Sequence, residues 1–278
     1  MIARQHFTRT RIAPTPSGFL HLGNVFSFAL TASLARKTGA KVFLRIDDLD
    51  QARIQPTYVQ DIFETLHYLG IPWDEGPKDF EEYEKKFSQL KRMHLYKKAL
   101  NELRERGMVF ACSCSRTTDR GECRCHEKNL SLDEPGYAWR MRTSPADALP
   151  ATMQAFIVKK KDGFPAYQLA CVVDDHHFEV DLIVRGEDLR DSSKAQIYLA
   201  QILGYTSFVS STMLHHALLM ESEDQKLSKS AGSTSLQYLR QQGKSPEEIF
   251  GMIGALTGCK EPIRHWQELA DAIVFTEK

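Results

Sequence analysis

Short apolar runs alternate along this chain with longer stretches of helical period, and that alternation predicts an α/β sheet covered by helices. Arg11 to Ala13 reads as the first strand. From about His21, the residues Val25, Phe26, Phe28, Ala29, Leu30, Leu34 and Ala35 mark a helix that stops at Gly39, a residue suited to a left-handed C-cap. Val42 to Ile46 reads as the next strand. Between Thr57 and Leu69, the residues Val59, Ile62, Phe63, Leu66 and Leu69 share one helical face before Gly70. A longer amphipathic helix is expected from about Glu82 to Arg106, ending at Gly107.

The rhythm then changes. Cysteines cluster, and Ser131 to Pro150 is rich in Pro, Asp and Ser, the pattern of an insertion. Strands are expected from Ala155 to Lys160 and from Tyr167 to Val173, joined through an Asp162-Gly163 turn. Further strands around Leu182 to Arg185 and Leu214 to Met220 complete the parallel sheet. Near the end, Ser245-Pro246-Glu247-Glu248 has the form of a helix start, with Ser as N-cap, Pro in the first turn and Glu placed for a capping box. No internal repeat or low-complexity segment interrupts the pattern.

With 278 residues and 42% hydrophobic content the chain can bury a sizeable core, as one large domain or one domain carrying an insertion. No apolar stretch is long enough to cross a bilayer, and Met1 to His6 lacks the apolar core of a signal peptide. A cytoplasmic location is the resulting expectation. Lys and Arg together number 36 and so do Asp and Glu, so the molecule as a whole offers a polyanion no net attraction. Any RNA contact must be local. The candidate patches are Lys159-Lys160-Lys161 and the basic residues between Lys85 and Arg106.

Two segments far apart carry the candidate chemistry. Pro14-Thr15-Pro16-Ser17-Gly18-Phe19-Leu20-His21-Leu22-Gly23-Asn24 couples a Gly and Pro turn to the start of an apolar helix, where backbone N–H groups and the helix dipole favour an anion. His21 adds a side-chain donor there. Lys226-Leu227-Ser228-Lys229-Ser230 places two cations among small residues that let a polyphosphate approach. Together they predict a phosphate clamp. Separately, Cys112-x-Cys114 and Cys123-x-Cys125 bring four thiols into fourteen residues, which suits tetrahedral Zn²⁺. Disulfides are the rival reading, disfavoured in a reducing cytosol. His126 is an alternative ligand for one cysteine, while Cys171 and Cys259 stand alone and read as structural.

The two segments resemble the HIGH and KMSKS signatures of class I aminoacyl-tRNA synthetases, in wording closest to the glutamyl branch. Arg11-Ile12-Ala13-Pro14, Leu44-Arg45-Ile46-Asp47-Asp48-Leu49-Asp50, Val172-Val173-Asp174-Asp175-His176 and Val184-Arg185-Gly186-Glu187-Asp188 are similar to further landmarks of that family, in its order. The resemblance implies a Rossmann-like parallel-sheet catalytic domain, whose first half is residues 1–107 and whose second half is 167–232. It also implies a zinc-containing α+β insertion over 108–166 that holds the acceptor end of tRNA, and a short helical segment over 233–278. With 48 residues after Ser230, no separate anticodon-binding domain is expected.

The implied reaction is attack of an amino-acid carboxylate on the α-phosphate of ATP, followed by acyl transfer from the adenylate. His21, Lys226 and Lys229 are then the catalytic groups, with Gly18, Gly23, Asn24 and Ser228 also at the ATP and Mg²⁺ carried with it. An acidic amino acid presents two carboxylates and one ammonium, so its pocket needs two guanidinium forks and one acid. Arg11, Arg185 and Asp47 fit. By resemblance, Ala13, Thr15 and Tyr167 line the same pocket. Glutamyl enzymes commonly carry Glu where this chain has Asp47, but Arg185 stands where the family reads an acid.

The branch of glutamyl-queuosine tRNA-Asp synthetases, which attach glutamate to queuosine in the anticodon loop, is the nearest resemblance. A compact glutamyl-tRNA synthetase charging the 3' end is the alternative, and a non-catalytic tRNA- or adenylate-binding paralogue a third. ATP, L-glutamate and tRNA are the implied partners of a monomer.

Overall fold

In the computed structural model of the chain, residues 6–114, 123–222, 225–226, 235–259 and 261–273 are described. In chain order they form β1 (Arg9–Ile12), α1 (Leu22–Thr38), β2 (Lys41–Leu44), α2 (Pro56–Tyr68), α3 (Phe80–Glu82), α4 (Met93–Glu105), β3 (Val109–Cys112), β4 (Ala138–Met141) and β5 (Ile157–Lys159). There follow α5 (Tyr167–His177), β6 (Leu182–Gly186), α6 (Arg190–Leu203), α7 (Thr206–Val209), β7 (Thr212–His216), β8 (Met220–Ser222), β9 (Gln225–Lys226), α8 (Leu236–Gln241), α9 (Pro246–Leu256) and α10 (Leu269–Ala272). The chain divides into two compact units, Met1–Lys91 with Val180–Asp188 and Ser211–Lys278, and Arg92–Glu179 with Leu189–Ser210.

The first unit holds a parallel sheet of order β2-β1-β6-β7. Helix α1 begins with a capping box between His21 and Asn24 and ends at Gly39, whose φ of 78° is the left-handed cap the sequence led one to expect. Of its 17 residues 12 are buried, so α1 is covered on more than one side. The second cover comes from the C-terminal segment: Ser33 Oγ donates to Gln267 O (2.8 Å) and accepts from Ala270 N (3.1 Å). Ile12, Phe26, Leu30, Leu44, Ile62, Val184, Phe250 and Ile253 belong to one continuous apolar core. Helix α9 starts at Ser245 with the expected capping box to Glu248.

The second unit packs α4, α5 and α6 with an antiparallel sheet of order β3-β4-β5. Its centre carries a buried ion pair. Asp174 accepts from Arg92 Nε (2.7 Å), Arg92 Nη2 (2.8 Å) and Tyr96 Oη (2.7 Å).

Three expected elements differ. Tyr167 to Val173 is the start of helix α5 and not a strand, because the short run from Leu169 to Val173, buried at every position, looks the same in either state. The helix expected from Glu82 to Arg106 is broken into α3, a π-helical turn over Tyr83–Phe87, a 3₁₀ turn over Gln89–Arg92, and α4. The buried carboxylate of Asp48 causes the break by accepting from Tyr83 Oη (2.6 Å), Ser88 Oγ (2.5 Å) and Gln89 N (2.8 Å). Burial, with Asp48 alongside, pushes the Tyr83 hydroxyl well above its ordinary range, so it stays a donor. The strand expected to reach Met220 ends at His216, where Nδ1 of that residue turns onto Ala217 O (2.9 Å).

Candidate active site

The site is built at the carboxyl ends of the parallel strands. Strand β1 has β2 on one side and β6 on the other, so the chain reverses its winding direction there, the point at which α/β sheets open a crevice. Arg11, buried in β1, donates from Nη1 to Val184 O of β6 (3.3 Å), bridging that point. Arg185 is the next residue of β6 and is equally buried, 3% exposed against 6% for Arg11. Beyond the strand ends, Arg45 N donates to Ile12 O and Asp47 N to Pro14 O (both 2.9 Å), so the segments leaving β1 and β2 run side by side. Ala13 and Thr15 are half-buried on the first of these segments, with Thr15 O accepting from Ser17 N (2.9 Å) before the bend at Gly18.

Asp47 has a partner that sequence reading missed. Arg45, fully buried, donates from Nε to Oδ1 (2.6 Å) and from Nη2 to Oδ2 (3.1 Å). This two-pronged grip fixes the plane of the carboxylate at the strand ends. The only signal in the sequence was an arginine two residues before the acid, at a strand end.

At the head of α1, His21 Nδ1 accepts from Gly23 N (3.1 Å) and His21 N donates to Asn24 Oδ1 (3.1 Å). An accepting Nδ1 leaves Nε2 to carry the proton of the neutral ring. The N–H groups of Asn24 and Val25 also bond to His21 O, at 2.9 and 3.2 Å. The expectation of backbone N–H groups open to an anion therefore fails at residues 23 to 25, and the Asn24 side chain serves the cap. Gly23 matters for a different reason: a Cβ there would lie 3.0 Å from the imidazole Cε1 and Nδ1 and push the ring aside. Lys226 is described only as backbone, in β9 paired with β8, and Ser228 and Lys229 lie outside the described residues.

Tyr167 belongs to the other unit, where it opens α5 and is 43% exposed. In the same unit the Sγ atoms of Cys112, Cys114, Cys123 and Cys125 all lie within 4.8 Å of one another. Three of the separations are 3.5, 3.8 and 3.5 Å, far beyond a disulfide bond of about 2.05 Å. They match the edge of about 3.8 Å in a tetrahedron of thiolates at the usual zinc–sulfur distance. Burial pushes the Cys123 thiol up to about 12, and at Cys125 burial is outweighed by hydrogen bonds from Ser113 and the neighbouring thiols, which bring it down to about 6. Full ionisation of the cluster calls for a cation, and the four thiols can hold one. His126 is not in the cluster; its ring meets Phe110 edge-on at 5.7 Å.

The expected RNA patches fare differently. Between residues 81 and 106 the cations are largely matched by acids: Lys85 with Glu81, Lys86 with Glu82, Arg104 with Asp133 and Arg106 with Glu102. At the other patch, Lys159 Nζ lies 4.4 Å from the Trp139 ring centre and Lys161 Nζ donates to Ser113 O (2.7 Å).

A family model described as "tRNA synthetases class I (E and Q), catalytic domain" matches residues 8–144 and 147–273. The chain belongs to this class I synthetase family. A relative in Prochlorococcus marinus, "Glutamyl-Q tRNA(Asp) synthetase", is 34% identical over 261 residues, 89% of this chain and 81% of that protein. "Glutamate--tRNA ligase 2" of Syntrophus aciditrophicus is 31% identical over 89% of this chain, which spans only 57% of that protein's length. The glutamate-tRNA synthetase of Elizabethkingia anophelis shares the fold, with a TM-score of 0.74 at 21% identity over 97% of this chain and 66% of that one. The α/β parallel-sheet domain read from the sequence is thus the catalytic domain of class I synthetases. Among the described residues no helix is long and apolar enough to cross a membrane.

Proposed function

We propose that the chain activates L-glutamate with ATP and transfers the glutamyl group to the queuosine base of tRNA(Asp). The observation that supports the amino-acid part is that Arg11 on β1, Arg185 on β6 and Asp47 past the end of β2 come from the three adjacent strands at the winding reversal, two forks and one acid in the combination a dicarboxylic amino acid needs. Arg185 reads the side-chain carboxylate, Arg11 a carboxylate oxygen, and Asp47, oriented by Arg45, the ammonium. Ala13 and Thr15 line the segment that leaves β1, and Tyr167 is carried over by resemblance as a further glutamate-binding residue.

In the first step an α-carboxylate oxygen of glutamate attacks the α-phosphorus, the bond to the β-phosphate oxygen breaks, and pyrophosphate leaves with the electron pair. His21 Nε2–H, Lys226 and Lys229 neutralise the charge that builds on the phosphates, beside Gly18, Gly23 and Ser228. Mg²⁺ arriving with ATP supplies further charge neutralisation. In the second step a hydroxyl of the queuosine ring attacks the acyl carbon and AMP departs. Cys112, Cys114, Cys123 and Cys125 hold a structural Zn²⁺ that shapes the loop between β3 and β4.

The acceptor assignment draws support from relatives. The proteins called glutamyl-Q tRNA(Asp) synthetase in Prochlorococcus marinus and Symbiobacterium thermophilum are matched over 81% and 88% of their length. The test is to charge tRNA with labelled glutamate, digest with nuclease and locate the label. Label on the queuosine nucleotide of tRNA(Asp), and none on the unmodified transcript, is the expected result. Label at the 3' adenosine would instead make the chain a glutamate–tRNA ligase, and no glutamate-dependent ATP–pyrophosphate exchange would end both readings.

A further inference from the structure

The turn that carries His21 is held from outside by a charged pair that none of the expected chemistry uses. Asp61 of α2 is buried, 3% exposed, and its Oδ2 accepts from Leu20 N (3.4 Å). Its Oδ1 accepts from Arg240 Nη2 of α8, a guanidinium that also reaches Glu64 Oε2 (3.3 Å). The carbonyl of Leu20 is held by the same helix: Leu236 N donates to Leu20 O (2.7 Å), and His21 and Ser235 form a β-bridge. Both backbone polar groups of the residue before His21 thus depend on contacts tied to Arg240.

We propose that Arg240 and Asp61 are positioning residues for the nucleotide, holding the His21 turn in place against α8, a role that rests on ATP being the ligand at that turn. Neither side chain need touch substrate. Burial raises the Asp61 carboxyl and Arg240 opposes that shift, so the carboxylate depends on its partner for its charge. Without Arg240, α8 loses its ion pair to α2, and the Asp61 carboxylate that accepts from Leu20 N loses its counter-charge. A misplacement near 1 Å in such a site costs up to about a hundredfold in rate.

The experiment compares wild type with R240A, R240K and D61N, each normalised to its folded fraction by thermal melting. Two readouts are taken: binding of labelled ATP with Mg²⁺ and no amino acid, and glutamate-dependent ATP–pyrophosphate exchange. In R240A the dissociation constant and KM for ATP are expected to rise about tenfold or more, with KM for glutamate changed less than about twofold. R240K, which keeps the charge, is expected to recover most of the loss. A folded R240A that binds ATP as tightly as wild type, or that raises both KM values alike, would overturn the inference. Should R240A fail to fold, D61N decides by the same criteria, since it keeps the volume and an acceptor for Leu20 N while removing the charge. If wild type binds ATP yet exchanges with no glutamate, the glutamate reading falls and the ATP-binding arm still decides the role of the pair. If wild type binds no ATP, both fall.

Discussion

Two buried aspartates, one in each unit, are gripped by arginine in the same two-pronged way and do different work. Asp174 is 0% exposed and takes a third hydrogen bond from Tyr96, so its acceptor positions are spent inside the protein. Asp47 is 9% exposed and lies past the end of a strand, where Arg45 grips it. The lesson is that neither burial nor an ion pair by itself separates a structural carboxylate from a binding one. What separates them is the access that exposure leaves and the place of the group relative to the strand ends.

The comparison breaks most visibly at Asp174. D174A is expected to destabilise the protein by about 3–5 kcal/mol, because Arg92 would be left buried without its counter-charge. Urea unfolding measures this, and a D174A midpoint equal to that of wild type would show the two grips to be equivalent after all. D47N tests the other grip. Its amide keeps the shape but loses the charge that receives an ammonium, so kcat/KM for glutamate is expected to fall about tenfold to a hundredfold, or about 1.5–3 kcal/mol. Because buried Arg45 also loses its counter-charge, the unfolding midpoint is expected to fall too, and kcat/KM is read on the folded fraction.

A smaller effect sharpens the contrast between units through pH. His216 at the end of β7 is buried and His176 at the end of α5 is half-buried, and desolvation depresses both below the ordinary 6.5. His216 sits edge-on to Phe26 with ring centres 4.7 Å apart, and His176 stacks on Tyr205 at 4.0 Å. A base with a lowered folded pKa binds its proton first in the unfolded chain. The stability tied to these rings is therefore present above pH 6.5 and declines as pH falls from there through their folded values. Melting temperature should drop between pH 7 and pH 5, and H216N and H176N should each flatten part of that slope. An unchanged slope in both variants would place its origin elsewhere.

Much of this was legible before any coordinates. The α1 helix, its Gly39 stop, the Ser245 capping box and the four cysteines follow from spacing within a dozen or so residues. There the determining physics is local: side-chain period, backbone freedom and ligand geometry. The break at residues 83 to 92 was not legible, because an amphipathic pattern says nothing of a carboxylate 35 to 41 positions earlier that draws Tyr83, Ser88 and Gln89 N to itself. Helix α5 was hidden because an apolar run buried all round carries no period to read.

The same division runs through the site. Sequence by itself determined which groups a glutamate and a triphosphate would meet, since the identity of a charge or a donor belongs to the residue. Tertiary structure alone decided that Arg45 orients Asp47, that cap bonds consume the N–H groups at residues 23 to 25, and that Arg240 and Asp61 brace the turn before His21. Those facts depend on distance and burial, and Arg240 and Asp61 stand 179 positions apart in a chain that only folding brings together.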